Sequence, residues 1–324
     1  MTTQPAQPVQ PTHRYRPVVE GDIDALTRML DAATRTYLSR GADRTETMDR
    51  LATPGCDLPS DSFLVPDDRG EVLGFAQVFA TPPSDVRGFG RVHPDARGQG
   101  IGTLLAALMT TRAAEIARTL ESLPVRFTTT AWAADSAAAP VLRSAGLHEV
   151  RHFLRMVTEL SDDVQPPEPR WPEGVVPGPY EQGADDAALF DAFVESFSEH
   201  WGQEHPDEEG WWWDERDSPG AGFDPSLWTI ARDRDEMAGF VLARVGEREG
   251  RFEGYVSQIG VRPRWRGLRL GHALLAHALN QLRSRGLQTA SLDVDAENVT
   301  DALRLYRGVG MTEQPAFTIW GKQL

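Results

Sequence analysis

Residues 258–275 read Q-I-G-V-R-P-R-W-R-G-L-R-L-G-H-A-L-L. An apolar run ends at Val261, Pro263 breaks it, and an arginine- and glycine-rich turn opens into a helical pattern from Gly271. A strand, a glycine turn and a helix N-terminus form an anion site, because the first helical N–H groups have no backbone partner and the dipole is positive there. A pyrophosphate fits such a turn, and Arg262, Arg264, Arg266 and Arg269 would add charge-assisted hydrogen bonds. The pattern occurs twice. Residues 90–105 read G-R-V-H-P-D-A-R-G-Q-G-I-G-T-L-L. Val92, Pro94, Arg97, Gly98 and Gly102 precede Val261, Pro263, Arg266, Gly267 and Gly271 by one constant step, the 169 positions from 92 to 261. Two copies on the same strand–turn–helix pattern carry far more weight than one.

Other residues could serve an acceptor. Glu199-His200-Trp201 and Trp211-Trp212-Trp213-Asp214-Glu215 join aromatic rings to carboxylates. Such groups hold a cationic amine through cation–π and ion-pair contacts, or the rings simply bury against a sheet. The reading adopted places at least one of Trp201 and Trp211 at the acceptor. His200 and His205, and His272 and His277, are five apart without a partner cluster, so no metal site is expected. Cys56 is the single cysteine, in a Gly/Pro/Asp loop, and is read as incidental. Gly-x-Ser-x-Gly is absent.

The two glycine turns resemble motif A of the Gcn5-related N-acetyltransferases. Arg97-Gly98-Gln99-Gly100-Ile101-Gly102 fits it fully, whereas Arg266-Gly267-Leu268-Arg269-Leu270-Gly271 has Arg269 where the middle glycine is expected. Downstream, Asn298, Ala302, Tyr306 and Gly310 match the family's Asn-x-x-Ala-x-x-x-Tyr-x-x-x-Gly signature. The resemblance implies an α/β fold, a mixed and mostly antiparallel sheet flanked by helices, present as two tandem domains in a mycothiol synthase-like layout. It implies acetyl-CoA as co-substrate, with Ile259 and Val261 offering strand backbone, Asn298 bonding the pantetheine arm, and residues 266–271 cradling the pyrophosphate. Val92 and residues 97–102 (Arg97, Gly98, Gln99, Gly100, Ile101, Gly102) are the counterparts in the first domain. Tyr306 is expected to protonate the departing thiolate.

The general base is left open by the resemblance. Family members place a glutamate where this chain has Tyr255. Glu253 is two residues earlier on the same strand face if alternation holds. Glu199, His200, Asp293, Asp295 and a water chain are the other candidates. In the first domain Leu142 and Ala134 stand where Tyr306 and Asn298 stand in the second. That domain is therefore expected to be catalytically silent. The expected reaction is acetylation of a primary amine, of an antibiotic, an aminosugar or a mycothiol-type intermediate. A protein lysine or N-terminus as acceptor, and a non-catalytic acyl-CoA sensor, are the competing readings.

These residues need two similar scaffolds, and 324 residues suffice for two domains. Strands are expected at 15–19, 62–65, 72–80, 87–92, 125–132 and 147–159, with helices at 22–36, 99–120 and 136–144. The order repeats with helices at 185–197, 270–285 and 299–307 and strands at 227–232, 237–245, 252–261, 289–295 and 312–321. The domains are read as 13–160 and 179–324, after a flexible tail, 1–12, and around a proline-rich linker, 161–178. Residues 40–62 are read as loop. A net charge of −15 disfavours nucleic acid and suits a cationic small-molecule amine. No apolar run approaches the roughly 18 residues that span a bilayer, so no membrane partner is expected and the cytoplasm is the expected location. A monomer and a homodimer are both compatible with the pattern.

Overall fold

A computed structural model describes residues 13–37, 41–81, 84–120, 124–161, 163–201, 207–248, 251–297 and 302–324. The first half runs α1 (Ile23–Arg35), α2 (Arg44–Leu51), α3 (Leu58–Asp61), β1 (Ser62–Pro66), β2 (Val72–Thr81), β3 (Asp85–Val92), α4 (Ile101–Ala117), β4 (Arg126–Trp132), α5 (Ala138–Ser144) and β5 (His148–Glu159). The second runs β6 (Val175–Pro179), α6 (Asp186–Phe197), α7 (Glu208–Trp212), β7 (Thr229–Asp233), β8 (Glu236–Arg248), β9 (Arg251–Val261), α8 (Leu270–Ser284), β10 (Thr289–Asp295), α9 (Ala302–Gly308) and β11 (Thr312–Gln323). A single π-helical turn, Trp213–Asp217, continues α7. Among the described residues no helix is long and apolar enough to cross a membrane.

Local sequence explains most of these elements. Ile23, Leu26, Met29, Leu30 and Ala33 form one buried stripe on α1. Leucines and alanines bury most of α8, which stops at Gly286 in the left-handed region, φ 81°. Residues 40–62, expected as loop, contain α2 and α3. Only Thr47 and Leu51 of α2 are buried, so it has little hydrophobic periodicity; Asp43 caps it by accepting from the Glu46 amide at 2.8 Å. The expected strand at 15–19 is an isolated bridge, Arg16 to Leu64.

All eleven strands form one sheet, in the order β1-β2-β3-β4-β11-β5-β10-β9-β8-β7-β6. The last strand of each half crosses to the other. β11, expected to close the second half, lies between β4 and β5 of the first, pairing Phe317 with Trp132 and Gln323 with Arg126. β5 in turn pairs with β10, from Thr289–Glu159 to Asp295–Phe153. A boundary at residue 160 therefore divides the chain but not the sheet. The expected linker also carries structure: β6 begins at Val175 and pairs with β7, and Trp171 packs edge-on against His277 of α8.

α4 packs on the first half of the sheet and α8 on the same structural position in the second, each over β-strand residues of its own half. α6 and the turns after it pack on the opposite face of β8, through Phe193, Trp211, Phe240 and Leu242. That arrangement leaves two faces for two ligands at the second glycine turn.

Candidate active site

Each half contains a notch where two parallel strands part. β3 and β4 pair only from Asp85–Arg126 to Gly88–Thr129, and β9 and β10 only at Gly254–Ala290 and Tyr255–Ser291. Beyond these pairs the edges of β3 and β9 are open. The Arg262 amide donates to Ala238 of β8, so by two-residue alternation the backbone groups of Ile259 and Val261 face away from β8 into the notch. His93 donating to Leu73 turns Gly90 and Val92 the same way in the first half.

The glycine turns stand at the notch mouths. Gly98, Gly100 and Gly267 have φ of 75°, 84° and 78°, and a Cβ on any of them would meet nothing within 4 Å. Open space over bare backbone lets phosphate oxygens reach the amides directly, which is how such turns bind them. Arg269 holds the left-handed N-cap position of α8 at φ 63°, where the first turn has Gly100. At Gly102 and Gly271 a Cβ would meet Val141 and Val92 in one half and Leu305 and Val261 in the other at ordinary van der Waals distance. Gln99 and Leu268 are exposed within their turns, while Ile101 and Leu270 are buried anchors of the helices that follow.

Three of the turn's arginines stand in ion pairs. Arg262 forms an ion pair with Glu195, Arg264 with Glu236 and Arg266 with Glu199, the closest N–O distances being 2.6, 2.5 and 2.7 Å. Arg266 also donates to the Val261 and Ser196 carbonyls, so it ties α6 to the turn. Arg269 is exposed and in no ion pair among the described residues. Arg97 stacks on the Tyr37 ring at 4.7 Å.

Tyr306 and Leu142 occupy the fifth position of α9 and α5, both nearly buried. Burial pushes the Tyr306 phenol up to about 12. Its hydroxyl makes no hydrogen bond to a described residue, and the side chain belongs to the same buried cluster as Leu292 and Val294 of β10. Asn298 lies outside the described residues.

The two notches differ on the face opposite the long helices. In the first half Arg91 bridges the parting strands. Its guanidinium lies 4.5 Å from the Phe89 ring of β3 and 4.1 Å from the Trp132 ring of β4, and donates to the Gly90 carbonyl at 2.7 Å. Burial, with Arg50 close by, lowers its pKa to about 10. A cavity of about 370 Å³, lined among others by Tyr37, Arg91, Gly98, Gly100, Trp132 and Leu142, fills this notch. The second half has Gly260 in place of Arg91, 169 positions on, where a Cβ would meet the Phe240 ring at 2.5 Å and Ser196 Oγ at 3.0 Å. This cavity belongs to the half that has Leu142 where the other has Tyr306.

The candidate bases separate clearly. Tyr255 and Glu253 share a face, as alternation requires, and line a cleft against Arg155, Arg244 and the α1–α2 region. Tyr255 donates to Asp293 at 3.2 Å, and burial raises its pKa far above neutrality, so it stays protonated and is unsuited to be the base. Asp293 is held by both nitrogens of an Arg155 fork at 2.8 Å. Asp295 lies 3.6 Å from Arg151. In the 199–201 segment Glu199 pairs with Arg266 of the second turn, and burial together with Arg266 lowers the His200 pKa. Trp201, expected at the acceptor, is covered by Arg126 and Arg151 at 4.6 and 5.3 Å. Trp211 is buried among Phe190, Phe193 and Trp212 as core. Cys56, half-buried, has its thiol pushed to about 12 by burial and is no nucleophile at neutral pH.

The sequence singled out Glu215 only as part of the aromatic and acidic run that could hold an amine, and not as a candidate base. Glu215, in the π-helical turn, is 7% exposed and accepts from Ser257 Oγ at 2.5 Å and Gln258 Nε2 at 3.1 Å. Adjacent strand residues reach one partner because β9 bulges at Ser257 against Leu242 and Ala243 of β8. The matching β2–β3 ladder runs without a shift from Gly74–Val92 to Thr81–Asp85. The acidic Trp-rich insert was visible in sequence, but its docking onto the bulge was not.

Two glycine-turn notches on one mixed sheet define a tandem acyltransferase of the acetyl-CoA-notch class. The acetyltransferase (GNAT) family model matches residues 26–131 and 187–311. The chain belongs to that family and is an N-acetyltransferase with two copies of its unit. It is 32% identical to a mycothiol acetyltransferase of Thermobispora bispora over 77% of this chain and 80% of that one, and 33% identical to one of Streptomyces coelicolor over 75% and 74%. Among solved structures it is similar to a GCN5-related N-acetyltransferase of Sphaerobacter thermophilus (27% identity, TM-score 0.76, covering 97% and 96%). It shares the fold of a tandem GNAT protein from the clavulanic acid biosynthesis pathway (16% identity, TM-score 0.74, covering 96% and 98%).

Proposed function

We propose that this protein moves an acetyl group from acetyl-CoA directly to the primary amine of a small molecule, and that the second half carries the chemistry. The observation carrying this reading is the contrast at two matched positions. Tyr306 and Gly260 in the second half replace Leu142 and Arg91 in the first. The fifth position of the short helix carries a phenol in the second half and a leucine in the first, and the arginine that bridges the first notch has glycine at its matched position in the second.

Acetyl-CoA supplies the thioester. The bare amides around Gly267 and the N-terminus of α8, with Arg269, suit its pyrophosphate, and the open edges of Ile259 and Val261 suit the amide groups of its arm. Amine attack forms the C–N bond and breaks the C–S bond. Tyr306, protonated throughout the neutral range, gives a proton to the departing thiolate. The first half keeps the turn and the cavity but has Leu142 where the second has Tyr306, and is read as holding acetyl-CoA without turning it over. The relatives' name makes a mycothiol-type amine the acceptor to try first.

The test is CoA release from acetyl-CoA over small amines, aminosugars, aminoglycosides, amino acids and basic peptides, with Tyr306→Phe alongside. Amine-dependent release that falls about 100-fold or more in the variant supports the reading. Full activity in Tyr306→Phe overturns the assignment to the second half.

A further inference from the structure

We infer that Glu215, delivered by the insert after α6, is the general base that deprotonates the acceptor amine. This rests on the reading that chemistry takes place in the second half. α8 and its glycine turn occupy one face of the sheet, so a pyrophosphate bound there comes from that face. The acceptor must then approach from the face covered by α6 and the insert. Glu215 is on that face. It is tied to Ser257 and Gln258, immediately before Ile259, whose backbone opens into the notch.

Its chemistry fits the task. The groups facing it are Arg244 from β8, Tyr255, Ser257 and Gln258 from β9, and Asp214 of its own turn. Burial raises its pKa above the ordinary carboxylate range, despite Arg244 and the two donors, which moves it toward the pH at which a base must work. Of the other candidate carboxylates, Asp293 pairs with Arg155, Asp295 with Arg151 and Glu199 with Arg266, while Glu253 accepts from Ser291 Oγ at 3.4 Å. The family's usual carboxylate position holds Tyr255, so the insert provides from outside the strand what the strand lacks.

The protons balance. The ammonium gives its first proton to Glu215, which passes it to solvent. The neutral nitrogen attacks the thioester carbonyl, the C–N bond forms and the C–S bond breaks. Tyr306 protonates the thiolate, and the second proton lost by the nitrogen restores Tyr306. The net products are the amide, CoA and one released proton.

The experiment uses the full chain, acetyl-CoA, and glucosamine and cysteine ethyl ester as amines, comparing wild type, Glu215→Gln, Glu215→Asp and Tyr306→Phe. The expected result is a fall in kcat of about 100-fold in Glu215→Gln, with acetyl-CoA affinity and melting midpoint unchanged. The rise of kcat with pH seen in the wild type should vanish in Glu215→Gln and return, at an intermediate rate, in Glu215→Asp. If Glu215→Gln keeps both its rate and its pH limb while Tyr306→Phe is inactive, the base lies elsewhere and the second-half reading stands. If Tyr306→Phe is also fully active, that reading falls too. A slower Glu215→Gln that retains the wild-type limb, or melts early, would make Glu215 a structural residue and overturn the inference.

Discussion

Tyr306 shows how burial prepares a single side chain. A phenol raised from 10 to about 12 stays protonated at neutral pH, as a proton donor must. The same shift has a sign for stability. With the folded value raised, stabilisation from keeping the proton is fully present below pH 10 and is lost as pH rises through 12. Two units correspond to about 2–3 kcal/mol. Tyr306→Phe should therefore lose less stability than wild type between pH 10 and 12, as measured by urea unfolding at each pH. Parallel loss in both proteins would mean that the phenol ionises freely in the fold.

At the scale of an element, the N-terminus of α8 pairs a backbone strain with a charge. Arg269 is one of two non-glycine residues at positive φ among those described, at a position where Gly100 serves the first half. A left-handed residue with a Cβ costs about 1 kcal/mol. Arg269→Gly should relieve that strain and raise stability modestly, by up to about 1 kcal/mol, the entropic freedom of glycine offsetting part of it. If Arg269 faces the phosphates, its loss should also weaken acetyl-CoA binding several-fold and make that binding less salt-dependent. Calorimetric melting and equilibrium binding at two ionic strengths read both effects. Stronger binding in the variant would show that the arginine obstructs the turn. The ion-paired Arg262, Arg264 and Arg266 should matter more for holding α6 and β8 to the turn than for the ligand.

At the scale of the molecule, strand exchange makes the halves one folding unit. Trp320 on β11 is buried in the first half's core with Phe127 and Leu142, although it is four residues from the C-terminus. Trp320→Ala should cost about 3–5 kcal/mol, and deletion of residues 312–324 should leave β4 and β5 with bare edges prone to association. Residues 13–160 expressed alone should fail for the same reason and recover when the second half is co-expressed. Size-exclusion chromatography and denaturant unfolding distinguish these outcomes. A monomeric, cooperatively folding 13–160 fragment would refute the single-unit view.

The sequence by itself determined the two glycine turns, the helices with strong apolar stripes, and the difference between Tyr306 and Leu142. These depend on residues close in the chain: an αL glycine, a helix N-terminus, a spacing along α9. Alternation correctly put Glu253 and Tyr255 on one face, for the same reason. Only the tertiary structure decided which half β5 and β11 complete, that Arg264 and Arg266 pair with carboxylates rather than stand free, and that Trp211 is core. It alone brought Glu215 to the bulge at Ser257, across 42 positions of chain. Strand partnership and ion pairing are set by contacts between distant segments, and an acidic, tryptophan-rich insert has the same local pattern whether it lines a site or supports a sheet.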